Sequence, residues 1–326
     1  MTQIIEDFIG EIIQEIDKTE YGNTPPELYE PINYLMELGG KRMRPLLTLL
    51  SYKLYNKDFK QAIPAAISVE IFHNFTLMHD DIMDRAPLRR GKATVHEKWS
   101  EPIAILSGDV MLVKAYEQLI KHVPTDSLKT VLEKFNQCAT EVCEGQQHDM
   151  NFETEPAVSV AQYIDMIRQK TAVLLGFSLE LGGLLAGARD SDCKALFEMG
   201  VNVGIGFQLM DDLLDVYADQ ANFGKQVGGD IIANKKTFLL LTAQDQATGA
   251  EAEKLEKWLI QEDFDKNEKV AAVKDIYQTL EIREQTEAKM QEYFNRGFDQ
   301  LENLNGDAEA KDLLRHFFQY LIKRQK

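Results

Sequence analysis

The sequence predicts an all-α protein folded as one helical bundle, and three observations carry that prediction. Apolar residues recur at the 3.6-residue spacing of amphipathic helices along nearly the whole chain, with no convincing alternating strand. Pro25, Pro26, Pro64, Pro87, Pro102, Pro124 and Pro156 fall at or before helix starts, where a missing N–H is tolerated. Segments 65–84, 171–187 and 199–217 are apolar nearly all round, as helices in the interior of a large bundle are.

Taken in order, the pattern predicts helices at 2–18, 27–38, 43–55, 61–84, 102–121, 126–150, 159–187, 191–218, 235–246, 250–262, 267–303 and 308–324. The first is acidic and amphipathic. It lacks a basic leading region and is not Arg-rich, so it reads as neither a signal nor a transit peptide. Asn305-Gly306 marks a turn before the last helix. No Gly/Ser/Pro-rich stretch is long enough to be a linker, so a single domain over 1–326 is expected. Glu251 to Lys326 is charge-rich and fits outer helices. No apolar run approaches membrane-spanning length, and the cytoplasm is the expected compartment.

Composition narrows the partners. With 326 residues, 44% apolar and 27% charged, the chain can bury a sizeable core. A formal net charge of -17 argues against nucleic acid and anionic membrane. It would also repel an anionic substrate unless bound cations invert the local sign. Cys138, Cys143 and Cys193, odd in number and without CxxC spacing, predict neither a disulfide framework nor a zinc site.

The chemistry concentrates in two acidic helix ends. Asp80, Asp81 and Asp84 close the first all-apolar segment, and Asp211, Asp212 and Asp215 close the third. Three aspartates within five residues repel one another unless something neutralises them. Asp80 and Asp84 share a helix face, about 6 Å apart along the axis. That suits Mg²⁺, which takes one or two carboxylates together with phosphate oxygens and water. A lone DDxxD is most simply a solvated helix end. Two copies, each after an apolar run, suggest paired central helices whose acidic ends face each other across several Mg²⁺ ions.

Basic residues supply the complement. Gly39-Gly40 leads into Lys41 and Arg44 at a helix start, where unpaired N–H groups already favour anions. His73 lies two turns before Asp80 on nearly the same stripe, and Arg89-Arg90-Gly91 follows the first triplet. Lys170-Thr171 leads into an apolar helix; Gly224-Lys225, Gly228-Gly229-Asp230 and Asn234-Lys235-Lys236-Thr237 follow the second triplet. Singly, these read as surface bases, a core histidine and a helix cap. Together they are anion grips and cation-binding acids in separate segments, as a site for two diphosphates requires.

The motifs GGKRMRP, HDDIMD, LRRG, QKTA, GFQLMDDLLD and GK…GGD…NKKT run in order from Gly39 to about Leu241. In them the chain resembles the trans-isoprenyl diphosphate synthases of the polyprenyl synthetase family, which include farnesyl and geranylgeranyl diphosphate synthases. The resemblance implies an all-α isoprenoid synthase bundle around a central apolar cavity, usually a homodimer. It implies Mg²⁺, three ions per active site, on Asp80, Asp81 and Asp84 and on Asp211, Asp212 and Asp215, with Asp80, Asp84 and Asp211 the direct ligands. Lys41, Arg44, His73 and Arg90 match the isopentenyl diphosphate site. Arg89, Lys170, Lys225 and Lys235 match contacts to the allylic diphosphate. Thr171 and Gln208, with Lys170, match groups near the reacting carbons. Gln146 and Asp149 resemble a GQxxD motif to which no role is assigned.

The implied reaction is ionisation of an allylic diphosphate, attack by the double bond of isopentenyl diphosphate, and proton loss to a trans product five carbons longer. Phe75 and Thr76, five and four residues before Asp80, match the floor of the product pocket and imply a C15 or C20 product, geranylgeranyl being preferred. A longer-chain polyprenyl synthase is the first alternative. A terpene cyclase would not need Lys41, Arg44 and Arg90, and a non-catalytic partner subunit usually lacks one of the acid clusters.

Overall fold

The computed structural model describes residues 3–218 and 228–324. It is all-α, as the periodicity predicts. In order come α1 (Gln3–Lys18), α2 (Pro26–Glu37), α3 (Met43–Lys53), α4 (Ile63–Met83), α5 (Val95–Lys98), α6 (Glu101–His122), α7 (Thr125–Thr154) and α8 (Val160–Ile167). A π-helical turn over Arg168–Ala172 leads from α8 into α9 (Val173–Leu185), followed by α10 (Asp190–Tyr217) and α11 (Gly229–Ile232). The remaining helices are α12 (Phe238–Gln246), α13 (Gly249–Ile260), α14 (Lys266–Thr279), α15 (Ile282–Asn303) and α16 (Ala308–Arg324). Among the described residues no helix is long and apolar enough to cross a membrane.

The chain forms two compact units. One comprises Met1–Asn136, Phe177–Phe197 and Leu304–Tyr320; the other comprises Gln137–Gly176, Glu198–Asn303 and Leu321–Lys326. In the first unit α4 is the axis. Every residue from Ala65 to Phe72 on it is buried, which is why this helix has no polar face. It packs chiefly on α6 and α3. Phe72 meets Phe135 edge-on at 5.1 Å, and Phe135 meets Tyr116 at 4.8 Å and Phe177 at 5.5 Å. Deleting one such ring would cost about 3–5 kcal/mol.

The second unit depends on close backbone approach. A Cβ on Gly200 would lie 2.6 Å from the Cα of Gly176, and one on Gly204 would lie 2.7 Å from the Cα of Ala172. No side chain fits at either position, so α10 lies directly against the π turn and the start of α9.

Three features depart from the sequence pattern. The single helix expected over 267–303 is two, because Glu281 takes a left-handed φ of 53° between α14 and α15. A short antiparallel hairpin, β1 (Leu88–Arg89) with β2 (Lys92–Ala93), stands where no strand was expected. Its turn places Arg90 at φ 54° and Gly91 at φ 75°, the paired positive values of the hairpin turn whose twist matches the strands. The third is the π turn inside the segment expected as one continuous helix over 159–187.

Candidate active site

In the first unit, the glycine turn and the hairpin converge. Gly40 sits at φ 134°, and a Cβ there would come within 2.8 Å of an Arg90 guanidinium nitrogen. Arg90 also donates to the carbonyl of Gly39, so the two loops are joined. Burial and the positive charges of Arg44, Arg90, Arg89 and Arg42 hold His73 well below the usual histidine range, leaving a neutral imidazole at pH 7. Burial and the charges of Arg42 and Arg89 likewise lower Arg90. A cluster that disfavours its own cations is poised for an anion.

The first triplet divides in two. Asp81 is buried, and Arg89 grips it with both prongs: Nε donates to Oδ2 and Nη2 lies by Oδ1, each at 2.7 Å. Arg89 is thus engaged with Asp81 and lies 3.7 Å from Asp80. Asp80 is only partly covered and Asp84, at the C-cap of α4, is exposed. One turn earlier, Phe75 is buried against Phe72 at 5.6 Å and His79 at 4.8 Å. The Thr76 hydroxyl donates to the carbonyl of His73 on its own helix.

In the second unit, Lys170 and Thr171 lie in the π turn, a distortion that recurs at functional sites. A Cβ on Gly145 would lie 2.2 Å from the Lys170 nitrogen, so the glycine preceding Gln146 lets α7 meet the turn. Lys170 Nζ lies 2.6 Å from Asp149 Oδ2. From Thr171 a polar chain crosses otherwise apolar helices: its hydroxyl donates to Gln208 Oε1 at 3.4 Å, and Gln208 Nε2 donates to Asp212 Oδ1 at 3.3 Å. The Tyr163 hydroxyl donates to the other Asp212 oxygen. Burial lifts the Asp212 carboxyl to about 7 despite the hydrogen bond from Tyr163, with Asp230 pushing the same way and Lys235 opposing. Burial and Asp212 push the Tyr163 phenol up in turn.

Asp211 is exposed, and Asp215 Oδ2 accepts from the Asp230 N–H at 2.9 Å, joining the triplet to the start of α11. Lys236 caps the end of α7 by donating to the carbonyls of Phe152 and Glu155, leaving Lys235 as the exposed lysine of that pair. Lys225 lies outside the described residues.

The donor set fits Mg²⁺. Among the described residues no three acidic, histidine or cysteine side chains already converge on one point. A hard cation that draws most of its oxygens from phosphate and water needs no such cage.

A family model for polyprenyl synthetases matches residues 25–280. The chain belongs to the polyprenyl synthetase family. The geranylgeranyl diphosphate synthase of Methanosarcina mazei is 43% identical over 221 residues, covering 67% of this chain and 68% of that one. A crystal structure of a geranylgeranyl pyrophosphate synthase aligns with a TM-score of 0.93 at 40% identity, over 99% of each chain. A polyprenyl synthase from Caulobacter crescentus, solved with calcium and isoprenyl diphosphate, aligns at 0.84 with 27% identity, over 99% of this chain and 97% of that one. This synthase is a short-chain trans-prenyltransferase with the all-α fold that the motifs implied.

Sequence reasoning did not find Tyr163 or Arg42, and it assigned no role to Asp149. Tyr163 carries no local signal; its partner is 49 residues away.

Proposed function

We propose that the synthase condenses isopentenyl diphosphate with an allylic diphosphate to give geranylgeranyl diphosphate, and that both aspartate triplets serve one metal-bound diphosphate. The observation that supports this best is the shared build of the triplets. In each, the middle aspartate is buried and held by its own partner, while Asp84 and Asp211 are exposed and Asp80 is only partly covered.

Asp80, Asp84 and Asp211 would hold magnesium, three ions by family resemblance. When bound, the metal neutralises charge on the departing diphosphate. Lys170, oriented by Asp149, and Lys235 add positive charge where that negative charge grows. Lys41, Arg44, Arg90 and the neutral His73 orient isopentenyl diphosphate so that its double bond meets the allylic carbon. The carbon–oxygen bond breaks with its electron pair leaving on diphosphate, the new carbon–carbon bond takes the alkene pair, and a proton is lost to restore the double bond. The Thr171 and Gln208 oxygens stabilise positive charge on carbon, and buried apolar side chains exclude water that would quench it.

The enzyme is read as a cytoplasmic homodimer. Leu106, Val113 and Ile120 are 58%, 63% and 56% exposed and recur every seventh residue, an unpartnered apolar stripe on α6. Val113→Asp should move the native mass from dimer to monomer; an unchanged dimer would discard this face. The function is tested by incubating the enzyme with magnesium, isopentenyl diphosphate and dimethylallyl, geranyl or farnesyl diphosphate. A C20 product from each starter is expected, and alcohols or cyclic hydrocarbons would overturn the reading.

A further inference from the structure

Arg42 sits amid the basic residues of GGKRMRP and by sequence reads as one more surface base. It is only 6% exposed. Its Nη1 lies 2.6 Å from Oε1 of Glu70, which is 2% exposed, and its Nη2 donates to the Met36 carbonyl at 2.5 Å. Asn74 Nδ2 completes the network, donating to the Glu70 carbonyl at 2.8 Å and to Oε1 at 3.3 Å.

A buried ion pair is poor evidence for stability, because desolvating both charges offsets most of their attraction. What this one fixes is a backbone. Arg42 is the N-cap of α3 at φ 46° and ψ 36°, a left-handed conformation that a non-glycine residue keeps only when its surroundings enforce it. Lys41 precedes it and Arg44 follows two residues later. Glu70 lies one turn before His73 on α4. On the other side of Lys41, Arg90 holds the Gly39 carbonyl. The short segment carrying Lys41 is therefore pinned at both ends.

We infer that Arg42 and Glu70 are positioning residues: their buried pair sets the α3 entry turn so that Lys41 and Arg44 stand in register with His73 to grip a diphosphate. This deepens, and rests on, the reading of Lys41, Arg44, His73 and Arg90 as the isopentenyl diphosphate site.

The test is steady-state kinetics with each substrate varied separately, alongside thermal midpoints, on Lys41→Ala, Glu70→Gln and the double variant Arg42→Met with Glu70→Leu. The double variant replaces both charges by apolar groups, so no buried charge is left unpaired, and its thermal midpoint should stay near the parent value. KM for isopentenyl diphosphate should rise on the order of tenfold in the double variant, and less in Glu70→Gln. KM for the allylic diphosphate should stay within about twofold. A parent-like KM for isopentenyl diphosphate in Glu70→Gln or in a folded double variant, with Lys41→Ala raised, would make the pair merely structural and overturn the inference. A rise in both KM values together would do the same. Lys41→Ala without effect would instead remove the site reading, and the inference with it.

Discussion

The first and second aspartate triplets share residues, spacing and an apolar helix leading into them, yet they hold their middle carboxylates by opposite means. Asp81 is met by a cation, the two-pronged guanidinium of Arg89. Asp212 is met by neutral donors, Tyr163 and Gln208, and burial lifts it to about 7. At Asp212 the hydrogen bonds from these neutral groups and the charge of Lys235 offset only part of what burial and Asp230 raise. The shared DDxxD pattern therefore goes with a buried middle acid in both triplets. How the inward acid is satisfied depends on partners elsewhere in the chain.

The outward acids should matter most. Asp80→Ala and Asp211→Ala should each lower kcat/KM by roughly 10³, about 4 kcal/mol of transition-state stabilisation, with the thermal midpoint little changed. A small effect at either one, measured under saturating magnesium, would mean that the triplets do not share a task.

The inward acids should separate next. Arg89→Leu leaves Asp81 buried without its counter-charge and should destabilise the fold by about 3 kcal/mol in denaturant titrations. Tyr163→Phe removes one neutral hydrogen bond and should cost about 1 kcal/mol, because Asp212 can accept a proton instead. Equal losses would mean that the two buried acids are held alike.

Much of this was legible in the chain, and the reasons for the remainder are physical. The apolar runs of α4 and α10 announce interior helices because burial on all sides restricts residue type locally. The π turn stayed hidden, since one extra residue in a long apolar helix barely alters its periodicity. The hairpin was missed because two residues per strand give no alternation, although Arg90-Gly91 carries the turn's glycine. Arg42 read as a surface base because its burial depends on Glu70, 28 residues away. Asp149 and Lys170 were both visible, but nothing in their spacing shows that they pair.

Smaller effects refine the picture around α4. Phe75→Ala should lengthen the product by at least one isoprene unit, read by chromatography of the dephosphorylated alcohols. An unchanged product would assign Phe75 to the core with Phe72. His73 should leave a mark on pH dependence. Its folded pKa is depressed, so its contribution to stability is complete above the unfolded value near 6.5 and is lost as pH falls below it. Between pH 7.5 and 5.5 the parent enzyme should therefore lose more stability than His73→Gln, and parallel curves would contradict the cation-flanked imidazole.

The claim that both triplets serve one diphosphate is tested most directly by a crystal structure with Mn²⁺ and a non-ionisable allylic thiolodiphosphate, the metals located by anomalous scattering. Manganese on Asp80, Asp84 and Asp211 around a single diphosphate is the predicted result. Manganese confined to one triplet, with the analogue bound and the other triplet bare, would contradict it.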